Sequence, residues 1–462
     1  SSLTVFEITL SHPATTEVRV DYATVNLSAT EDDFESTSGT LVFAPGTMTQ
    51  SIAVVIKGDT VNELHEQFKL QLSNPVGALI GITESVATII DNDAQFTIDS
   101  TLDTIDANPG DGLAADAQGR TTLRAAIMEA NALAGDNTIH IPAGTYELSI
   151  AGTAEDASAT GDLDVTDTGG ILQITGAGAA STTIDGRSLD RVFHIQPGAA
   201  LTITDLTIGG GDVAGSDQGG GIYNQQGTLN VRQAIIESNE AIVGGGGISS
   251  SGVASIIDST IRDNSFQAIQ QHQDGEVVPA LSIVNSIISE NQNSGLTVTG
   301  GTVAIEQGQF IHNGGSGIEL GAGGILTVTD TTIADNVRTG VINAGEITIS
   351  RSTLSGNQDS GLINLATGIA SLETVTVSGN SATSIGGGGA IHNTGKITLR
   401  SSTVTDNTVT PDYTPGEAPT ITTMTGGLFN HENGIFEIGS SIVAGNRGVL
   451  QNDLAGNFTT LG

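Results

Sequence analysis

The chain has 462 residues, too many for one ordinary core, so two domains or a repeat array are expected. Aromatic residues make up only 3%, Trp is absent and Gly reaches 62, a composition of many short strands joined by tight turns rather than of a ring-packed globule. The 14 Lys and Arg against 51 Asp and Glu leave a net charge of −37, which excludes nucleic acid and anionic membranes as partners and makes divalent cations the natural counterions. The lack of cysteine removes disulfides and thiolate metal sites, and no apolar run approaches the roughly 20 residues that span a bilayer, so no membrane insertion is expected.

In chain order, residues 1–93 read as an antiparallel β-sandwich. Val18-x-Val20-x-Tyr22, Leu41-x-Phe43, Ile52-x-Val54-x-Ile56, Phe68-x-Leu70-x-Leu72 and Val86-x-Thr88-x-Ile90 alternate with period two and are separated by turns such as Ala44-Pro45-Gly46. About seven strands of this kind build an immunoglobulin-like sandwich. The stretch from "VDYATVNLSATEDDF" through "GDTVNELHEQFKLQLSNP" to the closing "DND" resembles the Calx-beta domain along almost its whole length. That resemblance implies calcium held by acidic loops at one end of the sandwich, with Asp33, Asp59, Glu63, Glu66, Asp91 and Asp93 at the matching positions. Three loops offering hard oxygens suit an ion that takes 6–8 such ligands. The family's opening strand, which ends in Glu-Gly and supplies a further ligand, has no counterpart in "SSLTVFEITLSHP". The expected partners are therefore other copies of this chain, or flanking domains of a longer one, donating a strand to the open edge.

Residues 94–138 read as a linker and a capping helix. Leu123, Ala126, Ile127 and Ala130 share one face at helical spacing, and a stack of β-coils needs its exposed end covered. "TTLRAAI" at 121–127, followed by Glu129-Ala130-Asn131, resembles the Cys-Ser-Leu-Arg-Glu-Ala-Ile box that opens many bacterial right-handed β-helix proteins, with Thr and Ala replacing the Cys and the Glu.

Residues 139–462 carry a loose repeat in which the phrase apolar-x-x-Asn ends at Asn239, Asn264, Asn291, Asn313, Asn336, Asn357, Asn380, Asn407 and Asn446. Each Asn precedes a Gly-apolar strand start, and three short strands per coil make a parallel β-helix. The nine Asn are expected at sharp corners, taking a left-handed backbone and hydrogen-bonding their counterparts above and below. Longer intervals mark extruded loops at 209–221, 266–280 and 410–426, where binding residues are expected.

The fold class expected is thus all-β: an immunoglobulin-like sandwich followed by a right-handed parallel β-helix with an N-terminal capping helix. Chemistry on the rod is harder to place. Parallel β-helices include polysaccharide lyases and hydrolases, but no local cluster of acid and base stands out, and His140, His194, His272, His312, His392 and His431 show no metal-ligand spacing. Asp258, Asp263, Asp330, Asp335 and Asp406 read as solvent-facing turn residues. "EDASATGDLDVTD", with Glu155, Asp156, Asp162, Asp164 and Asp167, is the densest acidic loop of the second region, where Asp162 and Asp164 share a cation or form an ordinary turn. The leading expectation is a non-enzymatic, calcium-binding structural or adhesive protein of the cell surface, with calcium as its one cofactor, surface glycans as further partners and no catalytic residues. The alternative is a carbohydrate-active β-helix enzyme or glycan-binding module, which a carboxylate pair with a basic residue on one exposed face of adjacent coils would support.

Overall fold

The computed structural model describes residues 2–58, 66–89, 94–153, 155–213, 218–382, 388–410, 425–449 and 451–461. The chain divides into two compact units, residues 1–95 and 96–462.

The first unit is the sandwich. β1 (Ser2–Thr9) pairs antiparallel with β4 (Thr49–Ile56), while β2 (Val18–Asn26), β3 (Ser38–Phe43), β5 (Glu66–Val76) and β6 (Glu84–Ile89) form a sheet in the order β3-β2-β5-β6. Inward residues of the two sheets meet in a core of Phe6, Phe34, Ile52, Val54, Phe68 and Leu70. Phe34 stacks on Phe68 at 4.3 Å between centroids, and Phe6 meets the same ring edge-on at 5.9 Å. This aromatic triple fills the centre of the sandwich.

The second unit opens with β7 (Gln95–Thr97) and α1 (Leu123–Ala132), then winds through β8 (Asn137–Ile141), β9 (Gly144–Glu147) and β10 (Leu163–Val165). These last three strands start three long parallel sheets of 14, 12 and 12 strands, here called sheets I, II and III, with β7 beside β8 at the edge of sheet I. Every coil visits I, II and III in turn, so each strand pairs in register with its equivalent one coil on, a step of about 4.8 Å. Ile236, Ile261, Ile288, Phe310, Ile333, Leu354, Val377 and Val404 form one fully buried column beneath sheet II. Each such side chain contributes roughly 1.5–3 kcal/mol of burial.

The nine repeated Asn form a continuous buried ladder. Asn239 Nδ2 donates to Asn264 Oδ1 at 3.0 Å, and the same contact runs through Asn291, Asn313, Asn336, Asn357, Asn380 and Asn407 to Asn446 at 2.8–3.1 Å. The left-handed backbone expected at the Asn belongs instead to the residue before it: Ser238, Asp263, Glu290, His312, Asp335, Gly356, Gly379, Asp406 and Gly445 have φ of 54–81°. The reason is geometric. The left-handed residue swings the chain round the corner, and that turn aims the following amide inward, where it must find partners. A second ladder, Asn343–Asn364–Asn393–Asn430, runs along the ends of the sheet III strands at 2.7–2.8 Å.

α1 begins at Thr122, whose hydroxyl caps Ala125 N, and buries Leu123, Ala126, Ile127 and Ala130. Its polar residues point back to the loop before β10. Arg124, fully buried, pairs with Asp103 at 2.6 Å and donates to the carbonyls of Ser158, Gly161 and Asp162 at 2.8–3.1 Å. Asn131 clamps β10 from both sides, donating to Asp164 O and accepting from Thr166 N. Glu129 accepts from the backbone of Gly110 and Gly112.

Candidate functional site

The middle residue of each sheet III strand points away from the coil interior, because its two neighbours point in. Along the first three strands that outward column reads Asp164, His194, Tyr223, stacked in parallel register. The acidic loop and the turn before Phe193 bring Asp156, Asp162, Asp190 and Arg191 beside it, and Gln196 and Gln225 close its far side.

Asp164 is 0% exposed. Its Oδ2 accepts from Ser158 N at 3.0 Å, while Oδ1 has no hydrogen-bond donor and lies 3.3 Å from His194 Nδ1. His194 Nε2 sits 3.1 Å from Gln225 Oε1, and Nδ1 faces Asp164. Gln196 Nε2 lies 2.7 Å from Asp156 Oδ1 and 3.1 Å from His194 Nδ1. Donor atoms of Asp156, Asp164 and His194 all fall within 4.8 Å of one another. Tyr223 stacks on the His194 ring at 5.1 Å, and the Arg191 guanidinium lies over its other side at 5.5 Å. Arg191 Nε is 3.6 Å from Asp162 Oδ2. Burial and the neighbouring Asp164 carboxylate push the Asp162 carboxyl up to about 7, with Arg191 pulling the other way.

Beyond Tyr223 the column continues through Ser249, Gln270, Thr297 and Glu319 before turning apolar at Ile342 and Ile363. Gln270 Oε1 and Thr297 Oγ1 are buried without hydrogen-bond partners. A polar strip therefore runs up one face of the rod from the acidic cluster.

The sequence-expected sites fall differently. Asp162 and Asp164 do not share a cation position: Asp162 turns to Arg191, and Asp164 to His194. His194, which shows no metal-ligand spacing in the sequence, is 8% exposed and central. Arg191, Tyr223 and Gln225 were missed; the pairing of Asp164 with residues 30 and 29 positions further on, in turn, was the signal available. Asp258, Asp263, Asp330, Asp335 and Asp406 are left-handed corner residues, as their turn role requires.

In the sandwich, Asp33 and Glu66 are brought into side-chain contact, and the Thr30 backbone N–H holds the Asp33 carboxyl below its ordinary range. Two carboxylates adopt such contact around a shared proton or a cation, so this pair fits a calcium site. Asp59, Glu63, Asp91 and Asp93 lie outside the described residues.

Residues 2–94 match the Calx-beta domain, and residues 247–409 match the right handed beta helix region. The chain carries a Calx-beta domain followed by a right-handed β-helix. Among solved structures, CBD12 from CALX1.2 is 23% identical, over 23% of this chain and 45% of that one, with a TM-score of 0.20. The chain spans about half the length of the two CBD12 structures it resembles, 45% and 48%. The A-module of an Azotobacter vinelandii mannuronan C-5 epimerase, AlgE6, is 15% identical over 70% of this chain and 91% of that one, TM-score 0.42. Pectate lyase Pel9A is 15% identical over 70% and 79%, TM-score 0.40.

These comparisons overturn the expectation of a chain with no catalytic role. Solved structures similar to this chain are, by title, an epimerase and a lyase. Two carboxylates and a basic residue stand together at Asp162, Asp164 and Arg191, but the carboxylates are buried rather than on the exposed face that was expected. Among the described residues, no helix is long and apolar enough to cross a membrane.

Proposed function

We propose that the β-helix is a carbohydrate-active enzyme that processes a polysaccharide on the outer face of sheet III, outside the cell, with the Calx-beta domain binding calcium. One observation carries this reading: three successive coils place two buried carboxylates, a guanidinium, an imidazole and a phenol within one patch of an otherwise repetitive surface. General acid–base work on a sugar ring needs a proton donor and acceptor beside a group that meets negative charge. Asp162 and Tyr223 are the proton-exchanging pair, Arg191 is the cation that meets a sugar oxyanion or carboxylate, and Asp164 with His194 forms the charged floor beneath them.

The strip beyond Tyr223 supports a polymer as substrate. Gln270 and Thr297 offer polar atoms that the protein leaves without partners, and sugar hydroxyls supply both donors and acceptors. Successive coils, about 4.8 Å apart, present one outward side chain each, a spacing close to one sugar residue. Calcium at the Asp33–Glu66 end of the sandwich has a structural role in this reading, since a cation relieves the repulsion of clustered carboxylates and fixes their loops.

The test is product formation. The full chain is incubated with calcium and a panel of uronic-acid polymers and neutral glucans, following unsaturated ends, epimer composition and reducing ends. Turnover on at least one polymer, lost in Tyr223→Phe and Asp162→Asn, is expected. Absence of product on every polymer, with the protein folded, contradicts the reading.

A further inference from the structure

The acidic cluster has an imbalance that its own residues do not resolve. Asp156, Asp162, Asp164 and Asp190 cluster around His194 and Arg191, and Arg191 is engaged by Asp162 and Tyr223. Asp164 Oδ1 is buried with no hydrogen-bond donor and lies 3.3 Å from His194 Nδ1, while His194 Nε2 lies 3.1 Å from Gln225 Oε1. At that distance a proton or a cation belongs between Asp164 Oδ1 and His194 Nδ1. Asp156 Oδ1 completes a triangle with these two atoms, all within 4.8 Å. The NH2 end of Gln196 touches two of the three corners, at 2.7 and 3.1 Å, and so stands where positive charge is wanted. Turned end for end, the same amide offers Oε1 as a fourth donor.

We propose that Asp156, Asp164 and His194 form a binding site for a divalent transition ion of the zinc class, with Gln196 as an adaptable fourth ligand. The nitrogen ligand sets the class. Imidazole with carboxylates suits Zn²⁺ and Co²⁺, whereas calcium takes oxygen donors, as the carboxylate pair of the sandwich provides. The site has the supports a bound ion needs: Gln225 contacts the far nitrogen of the imidazole and orients the ring, and Ser158, donating its N–H to Asp164 Oδ2 and bonding the Asp164 backbone through its hydroxyl, fixes the carboxylate. Burial differs by ligand. Asp164 and His194 are sealed, while the Asp156 side chain is 73% exposed, so the site opens to solvent at Asp156. An ion there faces a sugar oxygen or carboxylate on one side and three protein ligands on the other, the arrangement of metal sites that keep a position open. The inference concerns the same patch as the proposed reaction and deepens it, but it rests on the orphaned carboxylate oxygen and not on turnover.

The experiment uses the full chain, stripped of metal and then held in saturating calcium so that the sandwich carboxylates are filled. Co²⁺ is titrated in and its visible d–d absorption recorded, with equilibrium dialysis for stoichiometry. One Co²⁺ per chain with a tetrahedral-type spectrum is expected, weakened about tenfold or more in both Asp156→Ala and His194→Gln. Asp156 is exposed, so its replacement leaves folding intact if the His194 variant does not fold. No Co²⁺ uptake in calcium, or uptake unchanged in both variants, overturns the assignment. Turnover of a polymer without Co²⁺ binding removes this inference alone; Co²⁺ binding without turnover of any polymer removes only the enzymatic reading.

Discussion

The coils between Thr332 and Thr405 and the coils that carry Asp164, His194 and Tyr223 share one backbone plan and use it in opposite ways. In the later coils the buried positions repeat nearly residue for residue: Asn336 on Asn357 on Asn380, Ile333 on Leu354 on Val377. Two of their outer sheet III positions, Ile342 and Ile363, are apolar, and the next is His392. In the first coils the outward column changes at every step, from carboxylate to imidazole to phenol, and the loops lengthen to bring Asp156, Asp162 and Arg191 beside it. A coil needs its ladder and its apolar column to stack; nothing in stacking needs a particular outward residue. Where outward residues converge on buried, charged and under-partnered groups, the scaffold is carrying chemistry.

The largest effect expected from breaking this comparison lies in the cap. Arg124→Met leaves Asp103 as an unpaired buried carboxylate and releases the carbonyls of Ser158, Gly161 and Asp162. A loss of about 3–5 kcal/mol is predicted by denaturant unfolding of the second unit. The acidic loop loses its support with it, so turnover falls as well.

Next comes the ladder. Asn357→Ala removes the acceptor of Asn336 N and Nδ2 and the donor to Asn380 and Ile333. Each buried group left unsatisfied costs about 1–3 kcal/mol. The melting temperature should drop while polymer turnover per folded molecule stays unchanged. Glu346→Gln, on the exposed outer face of the same coil, should shift stability by no more than about 0.5 kcal/mol. If both changes are equally damaging, the division between buried grammar and free surface is wrong.

A smaller effect separates the two ends of sheet III by pH. Burial, then the neighbouring His431, lowers the proton affinity of His392, and Asp359 opposes them. A His whose native proton affinity lies below its unfolded value near 6.5 is neutral in the fold while the unfolded chain protonates. Its stabilising contribution is therefore full above that pH and is lost as pH falls below it. Thermal melts from pH 7.5 to 5 should show stability falling with acid, and His392→Phe should flatten part of that slope. An unchanged slope in the variant contradicts a buried neutral imidazole.

The contrast also explains what the sequence revealed. The nine Asn and their apolar partners were legible because a ladder demands the same residue at every level, which writes a period into the chain. The second ladder, at Asn343, Asn364, Asn393 and Asn430, was less visible because its intervals follow loop lengths that vary. The sandwich was legible by alternation and by resemblance. The box residues Arg124 and Asn131 were recognised, but their work of clamping the acidic loop to the cap depends on contacts across more than 30 residues. The site itself was hidden for the opposite reason to the ladder: Asp164, His194 and Tyr223 are different residues at long intervals, and only pairing in register makes them neighbours.

The central claim is that function sits where the repetition breaks, and one measurement tests it most directly. Initial rates on the best polymer are compared for the parent chain, Tyr223→Phe and Glu346→Gln, each at a concentration corrected for folded fraction. Loss of the phenol oxygen from the first coils should lower the rate by about 10²-fold or more, the usual scale for a proton-transferring group, while the change in the regular coils leaves it unaltered. Equal rates in all three, on a polymer that the parent turns over, contradict the placement of the site.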